Sequence, residues 1–131
     1  MPTDPIRPVR VLFVDDDRAT REGYRSYLPA HGFEVMTAST GEQALGLAME
    51  WRPDVIVLDL GLPDIDGWEV ARRLKATVQT MAVPIIAVTG SDLQHERVSA
   101  MRAGCDRHLA KPCSAADVLD AIQRCLGPSV H

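Results

Sequence analysis

Four places along the chain set side chains able to handle a metal ion and a phosphoryl group at the end of an apolar run. The run VLFV, residues 11–14, delivers Asp15, Asp16 and Asp17; VIVL delivers Asp59; IIAV delivers Thr89; and LA delivers Lys111, followed by Pro112. Adjacent carboxylates repel one another, and at the mouth of a buried strand they also lose solvent. A hard divalent cation resolves that repulsion, and oxygen-only ligands with room for waters suit Mg²⁺. A carboxylate beside such an ion can attack phosphorus, which gives Asp59 a second role. Lys111 can pair with the negative charge that results, and the Thr89 hydroxyl can donate to a phosphoryl oxygen. One strand-end Thr or Lys means little, whereas all four types at successive strand ends form a specific pattern. Asp17 fits a plainer role, capping the helix that follows.

The elements that must position these residues alternate along the chain. Residues 9–14, 54–58 and 84–89 are near-continuous apolar strands, as expected of strands covered on both faces. Residues 33–38 (FEVMTA) are more mixed and residues 107–110 are short, so both belong at the outside of the sheet. Between the strands lie helix signals. Thr40 with Gln43 has capping-box form, and Asp66 and Ser114 suit N-caps with Glu69 and Asp117 three residues on. Pro29 ends or bends the first helix, and Gly32 and Gly104 are suitable helix stops. In the last helix Val118, Leu119, Ile122, Cys125 and Leu126 make one apolar stripe; residues 92–102 have a weaker one, Leu93, Val98 and Met101, and a looser helix is expected there. Five β/α units in succession imply an α/β fold, a doubly wound parallel five-stranded sheet of order 2-1-3-4-5 with helices on both faces. Sites in such folds gather at the carboxyl ends of the strands, where the four residue types stand.

The whole chain sets further bounds. Its 131 residues suit one domain, residues 9–126, between a flexible tail of residues 1–8 and a short tail of residues 127–131. No second domain is expected after Leu126. Hydrophobic residues at 46%, charged residues at 24% and a net charge of −4 describe an ordinary globular chain with no basic footprint for nucleic acid. The start, MPTDPIRPV, has no apolar core of a signal peptide, and no run approaches the roughly 20 residues needed to cross a bilayer. Cys105, Cys113 and Cys125 lack the spacing of a zinc site and are expected to be reduced, buried thiols in a cytoplasmic protein. Trp51 and Trp68 suit helix packing and partner contact equally. His31, His95 and His131 have no motif around them.

VDDD, VLDLGLPDIDG, VTGS and LAKP, in that order, resemble the receiver domain of bacterial two-component response regulators, from Val9 to Leu126. The resemblance implies a flavodoxin-like (βα)5 fold and a phosphorylation-controlled signalling switch rather than an enzyme. By it, Asp59 is the phosphoacceptor, and Asp15 and Asp16 are the acidic pair that binds Mg²⁺, Asp16 directly and Asp15 through water. The backbone carbonyl of Gly61 supplies another ligand, Lys111 pairs with the phosphate, Thr89 is the switch hydroxyl, and the bond before Pro112 is cis. Gly61 and Ser91 flank the line of water attack and form a dephosphorylation gate; both are small, and a poorly shielded phosphoryl group follows. His108 stands where many receivers carry an aromatic switch residue, and Cys113 where a bulky apolar residue is common. The implied partners are a histidine kinase or histidine phosphotransfer protein, and a downstream effector reading the surface of the 92–102 helix, the fifth strand and the last helix. A second copy of the chain is a further candidate partner. The alternative is a Mg²⁺-dependent aspartyl-phosphate hydrolase of haloacid-dehalogenase type, which typically needs an acid two residues after the nucleophile, where this chain has Gly61.

Overall fold

In a computed structural model, residues 7–90, 103–111 and 113–126 are described. Ser91, Pro112, the expected 92–102 helix and residues 1–6 and 127–131 lie outside them. Five strands, β1 (Val9–Val14), β2 (Phe33–Ala38), β3 (Val55–Asp59), β4 (Ile85–Thr89) and β5 (Arg107–Ala110), pair in parallel in the order β2-β1-β3-β4-β5, as expected. The helices among the described residues are α1 (Arg18–Tyr27), α2 (Gly41–Trp51), α3 (Gly67–Lys75) and α4 (Ala115–Leu126). Strand β3 begins one residue later than expected and ends on Asp59, so the strand itself carries that carboxylate into the site.

The alternation of side chains along a strand divides the core in two. Leu12, Val14, Ile56 and Leu58 face α2 and α3, while Val11, Phe13, Val55 and Val57 face α1 and α4. These inner-strand side chains are at most 3% exposed, and each stabilises the fold by about 1.5–3 kcal/mol through burial. Both tryptophans pack, partly buried, against the α2/α3 half of the core, and the Arg10 guanidinium stacks over Trp51. Among the cysteines only Cys105 is buried; Cys113, just before the last helix, and Cys125, within it, are half-buried at the edge of the other half of the core.

Local signals fix the helix ends. Thr40 Oγ1 accepts from Gln43 N–H, and the Gln43 side chain accepts from Ser39 N–H. Ser114 and Asp117 satisfy each other's backbone amides reciprocally, the full form of a capping box. Asp66 caps α3 by accepting from Trp68 N–H, but Glu69 does not reach back; it pairs with Arg72 and with Arg73 one turn on. After α1 the chain tightens into a 3-10 turn, Leu28–His31, at Pro29, and Gly32 closes it in the left-handed region at φ 90°. None of the helices in the described residues is long and apolar enough to cross a membrane.

Candidate functional site

Of the four buried polar residues among those described, three stand at the carboxyl edge of the sheet: Asp15, Asp59 and Thr89. The fourth, Thr80, hydroxyl-bonds the Leu74 carbonyl and is structural. Parallel pairing makes the convergence unavoidable. β1 lies between β2 and β3, so Val14 is level with Leu58 and Asp15 emerges beside Asp59; β4 places Val88 level with Asp59, and β5 places Ala110 level with Thr89. Lys111 follows, its backbone N–H held on the Thr89 carbonyl at 2.7 Å.

The three acids divide their work. Asp15 is anchored by its own N–H on the Ala38 carbonyl, and its Oδ1 accepts from Asp17 N–H at 2.8 Å. Asp16 is exposed. Asp17 is absorbed by helix capping: its Oδ2 accepts from the backbone and hydroxyl of Thr20, and those bonds hold its carboxyl below the usual range. Asp59 uses one oxygen to accept from Gly61 N–H at 3.0 Å and the other to accept from Lys111 Nζ at 3.1 Å. Lys111 Nζ also lies 3.9 Å from Asp15 Oδ2. Carboxylate oxygens of Asp15, Asp16 and Asp59 all come within 4.8 Å of one another.

Charge in this cluster is out of balance. Burial pushes the Asp15 carboxyl above its ordinary value, and the neighbouring Asp59 and Asp16 add to the rise, opposed by the Asp17 amide and Lys111. Burial alone pulls the Lys111 ammonium down, but its bond to Asp59 and the charges of Asp59, Asp15 and Asp16 outweigh that and hold it above its ordinary value. One ammonium thus faces three carboxylates. An oxygen-only set with that surplus is suited to a hard divalent cation, with no nitrogen or sulfur donor to favour a softer one.

Below the acids a cleft of about 420 Å³ runs between α1 and α4, with Asp15, Asp59 and Lys111 at its polar side and Tyr24, Cys113 and Val118 in its wall. The sequence pattern gave no role to Tyr24. Its ring stacks 4.2 Å from Phe13, and burial pushes its hydroxyl pKa up to about 12. The spacing of Tyr24, Tyr27 and Leu28 on one helix face was the available signal. His108 is not brought to the acids: it sits on β5, half-buried, in a separate recess shared with Asp117 and Arg124 of α4. Gly61 lies two residues after Asp59, and among the described residues a Cβ there would meet only Asp59 Oδ1, at 3.8 Å.

Comparison with known proteins agrees with this geometry. The family model for the response regulator receiver domain matches residues 11–123. The response regulator MprA of Mycolicibacterium vanbaalenii is 42% identical over 119 residues, covering 91% of this chain and 51% of that protein, so the chain spans about half the length of the curated relatives it matches. Among solved structures, the chemotaxis response regulator CheY4 of Vibrio cholerae superposes with a TM-score of 0.86 at 29% identity, covering 91% of this chain and 99% of that one. The receiver domain of the Pseudomonas aeruginosa sensor histidine kinase PA1611, solved with a magnesium ion coordinated in its active site cleft, superposes with a TM-score of 0.84 at 32% identity, covering 92% and 99%. With its 2-1-3-4-5 sheet and its acids, threonine and lysine at successive strand ends, the chain belongs to the receiver domain family of response regulators.

Proposed function

We propose that Asp59 accepts a phosphoryl group in the presence of Mg²⁺ and that this modification is the signal the domain carries. The observation behind it is the setting of Asp59: buried at the end of β3, bonded to Lys111, and within reach of two further carboxylates. Asp15, Asp16, Asp59 and the backbone carbonyl of Gly61 would hold the ion. Bound there, Mg²⁺ supplies charge neutralisation for the acids and for the incoming phosphoryl oxygens.

In the transfer, a carboxylate oxygen of Asp59 forms a bond to phosphorus. The P–N bond of a donor phosphohistidine breaks, and its electron pair returns to the imidazole nitrogen, which takes up a proton from solvent. Lys111, half-exposed and already on Asp59, is free to exchange that contact for one to a phosphoryl oxygen. The Thr89 hydroxyl, at the end of the neighbouring strand, is the candidate donor to another. His108 takes the place of the ring that moves when this hydroxyl turns. Burial disfavours an imidazolium unless an acid partner accompanies the ring; without one, protonation would favour its outward, inactive position. NMR titration of its ring with and without a phosphoryl mimic tests that role, and identical curves would exclude it.

The partners proposed are a histidine kinase or histidine phosphotransfer protein as donor, and an effector that reads the altered surface. Cytoplasmic placement accords with such partners. With its product being its own modified state, the chain acts as a switch rather than a turnover enzyme. Incubation with Mg²⁺ and a small acyl phosphate tests the central step. Intact-mass measurement should show a single added phosphoryl group that requires the metal, and no addition under any metal condition would overturn the proposal.

A further inference from the structure

The loop that walls the site, residues 60–66, is fastened at three points. Near its start Gly61 N–H donates to Asp59 Oδ1. At its end Gly67 lies so close to Leu60 that a Cβ on Gly67 would stand 2.5 Å from the Leu60 Cα. Between them Asp64 reaches out of the loop to another element. Its Oδ1 accepts from Gly41 N–H at 2.8 Å and its Oδ2 from Glu42 N–H at 3.0 Å.

Those two amides open α2 and have no acceptor within the helix, and a carboxylate there also complements the positive end of its dipole. The two bonds hold the Asp64 carboxyl below its usual range. The approach depends on Gly41, where a Cβ would meet Val70 Cγ2 at 2.9 Å and Ile65 Cβ at 3.1 Å. Thr40 already serves as the local cap of α2, through Gln43 N–H. Asp64 is therefore an additional tie, made from 23 residues away, and its distinct consequence is to fix the loop.

We propose that Asp64 is a positioning residue for the metal site, latching the loop that carries Gly61 to the start of α2 and so holding ready the backbone carbonyl that would complete the oxygen set around Mg²⁺. The inference rests on the metal site proposed above. A loop already held in its binding geometry does not have to be ordered when the ion arrives, which strengthens binding without adding a contact. By linkage the effect is reciprocal: Mg²⁺ must strengthen the latch by the factor with which the latch strengthens Mg²⁺ binding.

Mg²⁺ titration by calorimetry on the wild type, Asp64→Ala, Asp64→Asn and Thr40→Ala tests the latch. Asp64→Ala should weaken Mg²⁺ binding on the order of fivefold, at the low end for coupled sites because the carboxylate is exposed. Asp64→Asn keeps one acceptor oxygen and should lose less. Thr40→Ala, which loosens the same helix end without touching the loop, should lower thermal stability and leave the affinity unchanged. Amide exchange read by NMR supplies a second signal: Mg²⁺ should slow exchange at Gly41 and Glu42 in the wild type and not in Asp64→Ala. Wild-type affinity in Asp64→Ala, or an equal loss in Thr40→Ala, would overturn the latch while leaving the metal site standing. A wild type that binds no Mg²⁺ would remove both.

Discussion

Replacing Gly67 by alanine places a methyl group where the backbone of the neighbouring strand end already stands. The new Cβ would lie 2.5 Å from Leu60 Cα, 2.8 Å from its Cδ2 and 3.0 Å from its carbonyl oxygen. Carbon atoms in contact prefer roughly 3.5–4.0 Å, so a gap of about 1 Å must open. The flexible end of a side chain could give way cheaply, but Leu60 Cα cannot: its N–H is bonded to Val88 O at 3.0 Å and its carbonyl accepts from Gly67 N–H at 3.4 Å. Overpacking of this kind costs about 1–3 kcal/mol, and a weakened hydrogen bond adds about 1 kcal/mol. Against that, alanine gains at most about 1 kcal/mol over glycine in helix propensity at the start of α3. The balance is a loss of about 2 kcal/mol. With a urea slope of about 1.5 kcal/mol/M, the unfolding midpoint should fall by roughly 1 M. Gly46→Ala is the control, since Gly46 lies mid-way along α2 with nothing among the described residues within 4 Å of the added carbon. It should raise stability by about 0.5–1 kcal/mol. A Gly67→Ala protein as stable as the wild type would show that the close approach does not constrain the loop. Because Leu60 follows Asp59, the same variant should also be phosphorylated more slowly.

The acids should separate by role. Asp16→Ala should weaken Mg²⁺ binding strongly, and Asp17→Ala should mainly destabilise α1, as loss of an N-cap does; equal effects in a metal titration would contradict the division. At a tenfold excess over its dissociation constant, Mg²⁺ should stabilise the fold by about 1.4 kcal/mol, and a chelator should reverse the gain in a thermal melt. Folding raises the Asp15 carboxyl above its unfolded value of 3.8, so stability from this group is complete below pH 3.8 and lost as pH rises through the folded value. Asp15→Asn should therefore stabilise the metal-free protein at neutral pH and not at low pH, with a gain at both pH values counting against a cost of burying the charged carboxylate. Gly61→Arg meets no backbone obstacle among the described residues and should alter the lifetime of the phosphoryl group; unchanged dephosphorylation would exclude Gly61 from the gate.

The strand ends were legible because two strong signals coincide there, a buried apolar run and an abrupt change to a charged or hydroxyl residue. Parallel order then left Asp15, Asp59, Thr89 and Lys111 only one edge on which to meet. Asp17 was legible for a different reason, since a carboxylate just before a helix has local amides to accept from. Glu69 shows the limit of that logic. A capping-box spacing was present, but Arg72 and Arg73 offered cations within a turn and took the side chain. Asp64 lies within VLDLGLPDIDG with no signal of its own, because an acid in a turn reads the same whether it faces solvent or a helix 23 residues upstream. Only the docking of α2 against the loop reveals its partners. Tyr24 sits in a strongly polar helix, RATREGYRSY, where charged neighbours mask the side chain that packs on Phe13.

Peptide mapping of the phosphoryl group after reaction with Mg²⁺ and a small acyl phosphate, in the wild type and in Asp59→Asn, tests the central claim most directly. The amide of asparagine is a poor nucleophile and a weaker metal ligand. An acid-stabilised, base-labile group on the peptide containing Asp59, present only with Mg²⁺ and missing from Asp59→Asn, is the result expected. Equal labelling of the variant, or a stable group on a serine, threonine or histidine instead, would contradict it.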